Sequence, residues 1–107
     1  MEITRDFKLT ICERVNKDPK FAKKLLNEAI TEFLNGDPKI ARLILRDLIN
    51  ATVGFEELAI ETSKPSKSLH RMLSARGNPT MENLNVIFEV LRNKLGVTIN
   101  VQTQPAN

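Results

Sequence analysis

Apolar residues fall at helical spacing along most of this chain, broken by short polar interruptions, until the spacing changes near the end. Phe21, Leu25, Ala29 and Phe33 recur every fourth residue, and Ala22, Leu26, Ile30 and Leu34 form the adjacent row. Together they make a broad apolar stripe with Lys23, Lys24, Asn27 and Glu28 opposite, which predicts an amphipathic helix closed at Gly36. Before it, Phe7, Ile11 and Val15 predict a shorter helix over residues 6–16. Asp18-Pro19 then restarts the chain, because Asp caps a helix and Pro is tolerated in its first turn. Asp37-Pro38 repeats that signal. Ile40, Ala41, Leu43, Ile44, Leu45, Leu48 and Ile49 follow, leaving Arg42, Arg46 and Asn50 for solvent. A central helix with little exposed surface is expected there, capped at Gly54.

Three further helices are predicted over residues 55–62, 66–74 and 80–95, the last with Leu84, Ile87, Phe88, Leu91 and Leu95 on one face and Gly96 at its end. Beyond Gly96 the period drops to two. Val97, Ile99 and Val101 alternate with Thr98, Asn100 and Gln102, a strand signature. A solitary strand cannot satisfy its own backbone groups. It therefore pairs with its counterpart in a second subunit or with a partner's sheet edge, or else it is an extended tail laid over the core. The predicted fold is all-α, a five- to six-helix bundle with one short C-terminal β-strand. Residues 1–107 form a single domain: N-terminal helices to residue 53, a helix pair over residues 55–74, and a closing helix and strand over residues 80–102.

Composition narrows the function. A chain of 107 residues, 41% hydrophobic and 27% charged, has the balance of one folded helical domain. No apolar run approaches the roughly 20 residues that cross a bilayer. MEITRDFKLT lacks the basic-then-apolar layout of a secretory signal, so a cytoplasmic chain without membrane contact is expected. Cys12 is the only cysteine and His70 the only histidine, which excludes an internal disulfide and a Cys/His metal set. Without a Gly-rich phosphate loop or clustered carboxylates, no catalytic site, cofactor or small-molecule substrate is expected.

Net charge is only +3, but its placement is uneven. Residues 1–63 hold 10 Lys/Arg against 11 Asp/Glu, residues 81–107 hold two of each, and residues 64–80 hold four against none. That surplus lies on a helix pair. In FEELAIETSKPSKSLHRML, Leu58 and Ala59 face inward on the first helix and Leu69, Met72 and Leu73 on the second, the spacing of a helix-turn-helix. At about 100° per residue, Ser66, Lys67, His70 and Ser74 share the outer face, with Arg71 on its flank. Such a face suits the DNA major groove, where Ser66, Lys67, His70 and Arg71 are candidates to read base edges. Lys64, Ser74, Arg76 and Asn78 are candidates for phosphate contacts, which fix register without reading sequence.

GFEELAIETSKPSKSLHRMLSARGNPTMENL resembles the addiction-module antidotes, the HigA-like antitoxin family of XRE-like helix-turn-helix proteins, in which an LA..TG..S.SL.R.L pattern precedes a GNP tripeptide. LLNEA, the following GDP, D..NA.VG and the closing LGVTINV extend the likeness over residues 20–101. Two positions depart from the commonest pattern: Ser63 stands where the turn usually has Gly, and Lys64 where a small aliphatic usually seals it. The resemblance implies a lambda-repressor-like fold, a homodimer on a double-stranded operator, and in many members a RelE/HigB-like toxin partner. Such a protein is the antitoxin of a type II toxin-antitoxin system and represses its own operon. The competing expectation is a protein-interaction module that sequesters a basic partner with little or no DNA binding.

Overall fold

Four of the five described helices begin at a capping side chain or a proline, and the third opens at a left-handed glycine. The computed structural model describes residues 19–106, and five helices form among them: α1 (Pro19–Leu34), α2 (Pro38–Ala51), α3 (Gly54–Thr62), α4 (Ser66–Met72) and α5 (Met81–Leu95). The helix expected over residues 6–16, the Asp18 start signal and Cys12 lie outside the described residues. Asp37 caps α2, its carboxylate accepting the Ile40 amide at 3.4 Å, and the Thr80 hydroxyl accepts the Asn83 amide at 3.1 Å on α5. Each cap satisfies an amide that a first turn leaves open, worth about 1 kcal/mol.

Helix ends follow backbone handedness. Gly96 is left-handed, and the Val97 amide turns back to the Arg92 carbonyl at 3.0 Å. Gly54 does not cap α2 as expected. That helix ends at Thr52, whose hydroxyl donates to the Leu48 carbonyl at 2.7 Å, while Gly54, at φ 78°, opens α3.

The inward rows meet in one core. Ala22, Leu26 and Ala29 of α1, Leu45, Leu48 and Ile49 of α2, Leu58 of α3, Leu69 and Leu73 at α4, and Ile87 and Leu91 of α5 are all buried there. Burying each leucine or isoleucine contributes about 1.5–3 kcal/mol, which is what holds short helices together. At the margin Phe33 meets Phe88 edge to face, with ring centroids 6.2 Å apart.

Three further expectations are corrected. α2 is less enclosed than its aliphatics imply, with Ile40 and Leu43 47% and 42% exposed, whereas Arg42 is buried at 8%. Position 42 lies three residues before Leu45 and seven before Ile49, so it belongs to the inward row as much as to the outward row of Arg46 and Asn50. The C-terminal strand is also absent. All regular structure among the described residues is helical, and a strand needs a second strand for its ladder. Residues 97–106 form an extended tail instead, which keeps the alternation in burial: Val97 and Ile99 pack on the core, while Thr98 and Asn100 are exposed. No helix among the described residues is long and apolar enough to cross a membrane.

Candidate nucleic-acid interface

The turn between α3 and α4 is built by backbone hydrogen bonds. Ser63 adopts the left-handed conformation at φ 56°, its amide reaching the Ile60 carbonyl at 3.3 Å and the Lys64 amide reaching the Ala59 carbonyl at 3.1 Å. This pair of bonds closes a helix whose next residue is left-handed, a place usually given to glycine. A serine there costs on the order of 1 kcal/mol. Pro65 follows in an extended conformation, and its carbonyl accepts the Ser68 and Leu69 amides at 3.0 and 3.2 Å, which starts α4.

The underside of α4 is apolar and enclosed. Leu69 and Leu73 are completely buried and Met72 is half-buried, across from Leu58, also completely buried, and the half-buried Ala59. Inward positions thus fall where the spacing of FEELAIETSKPSKSLHRML puts them. The helical period then fixes the other side. Lys67, His70 and Arg71 are exposed, Lys67 and Arg71 one turn apart, and Ser66 is half-buried at the first position of the helix. Beyond the two ends, Lys64 and Ser74 are half-buried, and Arg76 and Asn78 are exposed. Lys64, Lys67, Arg71 and Arg76 share a stretch without a carboxylate, flanked by Glu61 and Glu82.

His70 is not a free ring. It stacks on the buried Phe55 of α3, centroids 3.9 Å apart and planes 20° from parallel, so one face is covered while the residue stays exposed. That stack ties the start of α3 to the last turn of α4.

The exit from α4 is held by a distant residue. The Arg42 guanidinium donates through Nε to the Ser74 carbonyl at 3.0 Å and through Nη2 to the Ala75 carbonyl at 2.9 Å. Bonds from a charged donor are about twice as strong as neutral ones, and the planar fork of arginine matches two neighbouring acceptors. The Ser74 hydroxyl donates to the Arg71 carbonyl at 2.8 Å, so its one donor is engaged within the chain. Gly77 completes the corner, its amide bonding the Ser74 carbonyl at 3.0 Å. A Cβ at that position would lie 2.0 Å from the Met72 carbonyl oxygen and 2.6 Å from that of Arg71. Only glycine lets the chain fold back so tightly on the helix it has just left.

Three residues of this site were not assigned to it by the sequence. Arg42 carried a signal in its spacing to Leu45 and Ile49. Gly77 stands out in the sequence only as part of the GNP tripeptide, and nothing local pairs Phe55 with His70. Val97, Ile99 and Val101 belong to a separate feature, the tail alongside α1. Compared with protein-family models, curated proteins and solved structures, the chain matches none.

Proposed function

We propose that the chain is a sequence-specific DNA-binding transcriptional regulator in which α3 and α4 are the paired helices of a lambda-repressor-like helix-turn-helix. The observation that carries this reading is the two-sidedness of α4. Leu69 and Leu73 are completely buried beneath it, while Lys67 and Arg71 stand exposed above in a stretch with no opposing carboxylate. A helix about 10–12 Å across fits the major groove, and arginine and lysine donate to the acceptor edge of guanine. Ser66 and His70 add donors beside them, His70 by its ring edge. Lys64, Arg76 and Asn78 take phosphates at either end, while Ser74 shapes the corner between them. The chain acts as a homodimer with its two α4 helices about 34–36 Å apart on a near-palindromic operator. No catalysis or cofactor enters.

The family resemblance makes this regulator the antitoxin of a type II module that represses its own operon. Exposed Leu34, Ile40 and Leu43 on α1 and α2 favour the alternative reading, a protein-interaction module whose N-terminal helices sequester a basic partner such as a RelE/HigB-like toxin. In that case DNA contact is secondary or absent.

Lys67→Ala combined with Arg71→Ala separates the two. Urea unfolding should move by no more than about 0.5 kcal/mol, since both side chains are exposed. Affinity for the chain's own upstream DNA, read by fluorescence anisotropy, should fall by about 2 kcal/mol or more, roughly thirtyfold. Unchanged affinity, or equally tight binding to random duplex, overturns the groove-reading assignment.

A further inference from the structure

The tail beyond Gly96 takes no part in the contacts assigned to DNA. Among the described residues, no backbone hydrogen bond involves residues 98–106. The start of the tail is fixed, with Val97 and Ile99 packed on the core and the Val97 amide held by the Arg92 carbonyl. One margin is open. A groove of about 660 Å³ lies between the tail and α1, its lining mixed: Ile30, Leu34, Ile99 and Val101 supply apolar surface, and polar residues such as Asn35 and Gln104 line the rest. Leu34 and Val101 beside it are 58% and 57% exposed. Extended backbone whose amides and carbonyls have no backbone partner among the described residues, next to a groove that leaves Leu34 and Val101 exposed, has the form of an acceptor for another strand.

We propose that the occupant is the same segment of a second copy, paired antiparallel about Ile99, so that two chains join through a two-stranded ribbon. The inference rests on the homodimer of the proposed function and not on its DNA contact. Side-chain parity selects the register. In a twofold pairing centred on residue 99, Ile99 faces Ile99, Val97 faces Val101 and Thr98 faces Asn100. One face is then wholly apolar and the other wholly polar. Centring on residue 100 sets Val97 against Thr103, and centring on residue 98 sets Val101 against Leu95, which is inside α5. Any centre between two residues opposes apolar to polar positions throughout. The antiparallel run brings Val97 of the second copy to Val101 and roofs the groove over Leu34.

Charge and backbone geometry favour a second copy over a foreign strand. No Lys, Arg, Asp or Glu follows Lys94, so like sets against like across the twofold axis without repulsion. A neutral segment also has nothing to steer it to a charged edge. The left-handed Gly96 bounds the ladder, because residue 102 would oppose it in this register, leaving an ordinary strand of about five residues.

Cysteine cross-linking of the full chain in a Cys12→Ser background tests this. Ile99→Cys should form the disulfide dimer efficiently, because facing Cα atoms lie about 4.5–5.5 Å apart. Val97→Cys and Val101→Cys each stand about 13 Å from their own counterparts and should link roughly tenfold less alone, yet link readily when mixed with each other. The mixture gives a second readout if Ile99→Cys fails to fold, since Val101 is exposed and Val97 is a smaller, only partly buried side chain. A monomeric wild-type chain in sedimentation at micromolar concentration overturns the inference. So does a dimer with no preference for position 99 and no mixed product. Anisotropy on operator DNA keeps the two readings apart: a dimer with this linking pattern but no DNA affinity removes the regulator alone, and a DNA-binding monomer removes the ribbon and the homodimer while leaving α4 as the groove-reading helix.

Discussion

Where the chain enters α4, neighbouring peptides hold it: Ser63 turns left-handed, and its amide and that of Lys64 reach back three and five residues along the same helix. Where the chain leaves α4, the hold comes from Arg42, 32 residues away from the carbonyl it grips, and from the missing side chain of Gly77. The entry is local and carries mild strain. The exit is long-range and sterically closed. A helix of seven residues has little stability of its own, so both grips are needed to present Lys67 and Arg71 in a fixed attitude. The entry tolerates a non-ideal residue because neighbouring backbone supplies its bonds, while the exit has no slack.

That contrast breaks first at Gly77. Gly77→Ala should cost about 3 kcal/mol or more in urea unfolding, because the methyl group meets rigid backbone oxygens rather than a side chain that can swing away. A loss below about 1 kcal/mol would show that the corner can open. Arg42→Ala comes next. It removes two bonds from a charged donor and should destabilise by about 2–3 kcal/mol, with Arg42→Lys recovering only part because an ammonium lacks the fork. If Arg42→Lys matches the wild type in the same assay, the bidentate geometry is not what matters. The smallest effect has the opposite sign. Ser63→Gly should stabilise by about 0.5 kcal/mol, the relieved left-handed strain being partly offset by a freer unfolded chain. In thermal denaturation that is a rise of a few degrees, and a fall would mean that the Ser63 side chain contributes more than its backbone costs.

The sequence was legible wherever a single period decides which side a residue takes. Leu45, Leu48 and Ile49, then Leu58, Leu69 and Leu73, were placed inward by spacing alone, and Lys67 and Arg71 followed outward from the same geometry. Legibility failed where two rows share a residue or where the partner is remote. Arg42 lies between the row of Leu45 and Ile49 and that of Arg46 and Asn50, and the choice depends on carbonyls beyond α4 that need donors. Phe55 and His70 meet only once the turn has folded. Gly54 could serve the helix on either side of it, because a left-handed residue reverses the chain in both roles. The tail was expected as a strand from correct alternation, but alternation specifies side-chain sides and not the presence of a neighbour.

The Arg42 fork has a consequence for how the molecule comes apart. Its guanidinium is sheltered from water only while the peptides at residues 74 and 75 stay against α2, and separating them leaves a charge to be rehydrated and two carbonyls to be resolvated together. Opening of α2 away from that corner therefore carries the cost of both, and α2 and α4 should lose protection from hydrogen exchange together. One side chain thus couples α2 to the corner that follows α4.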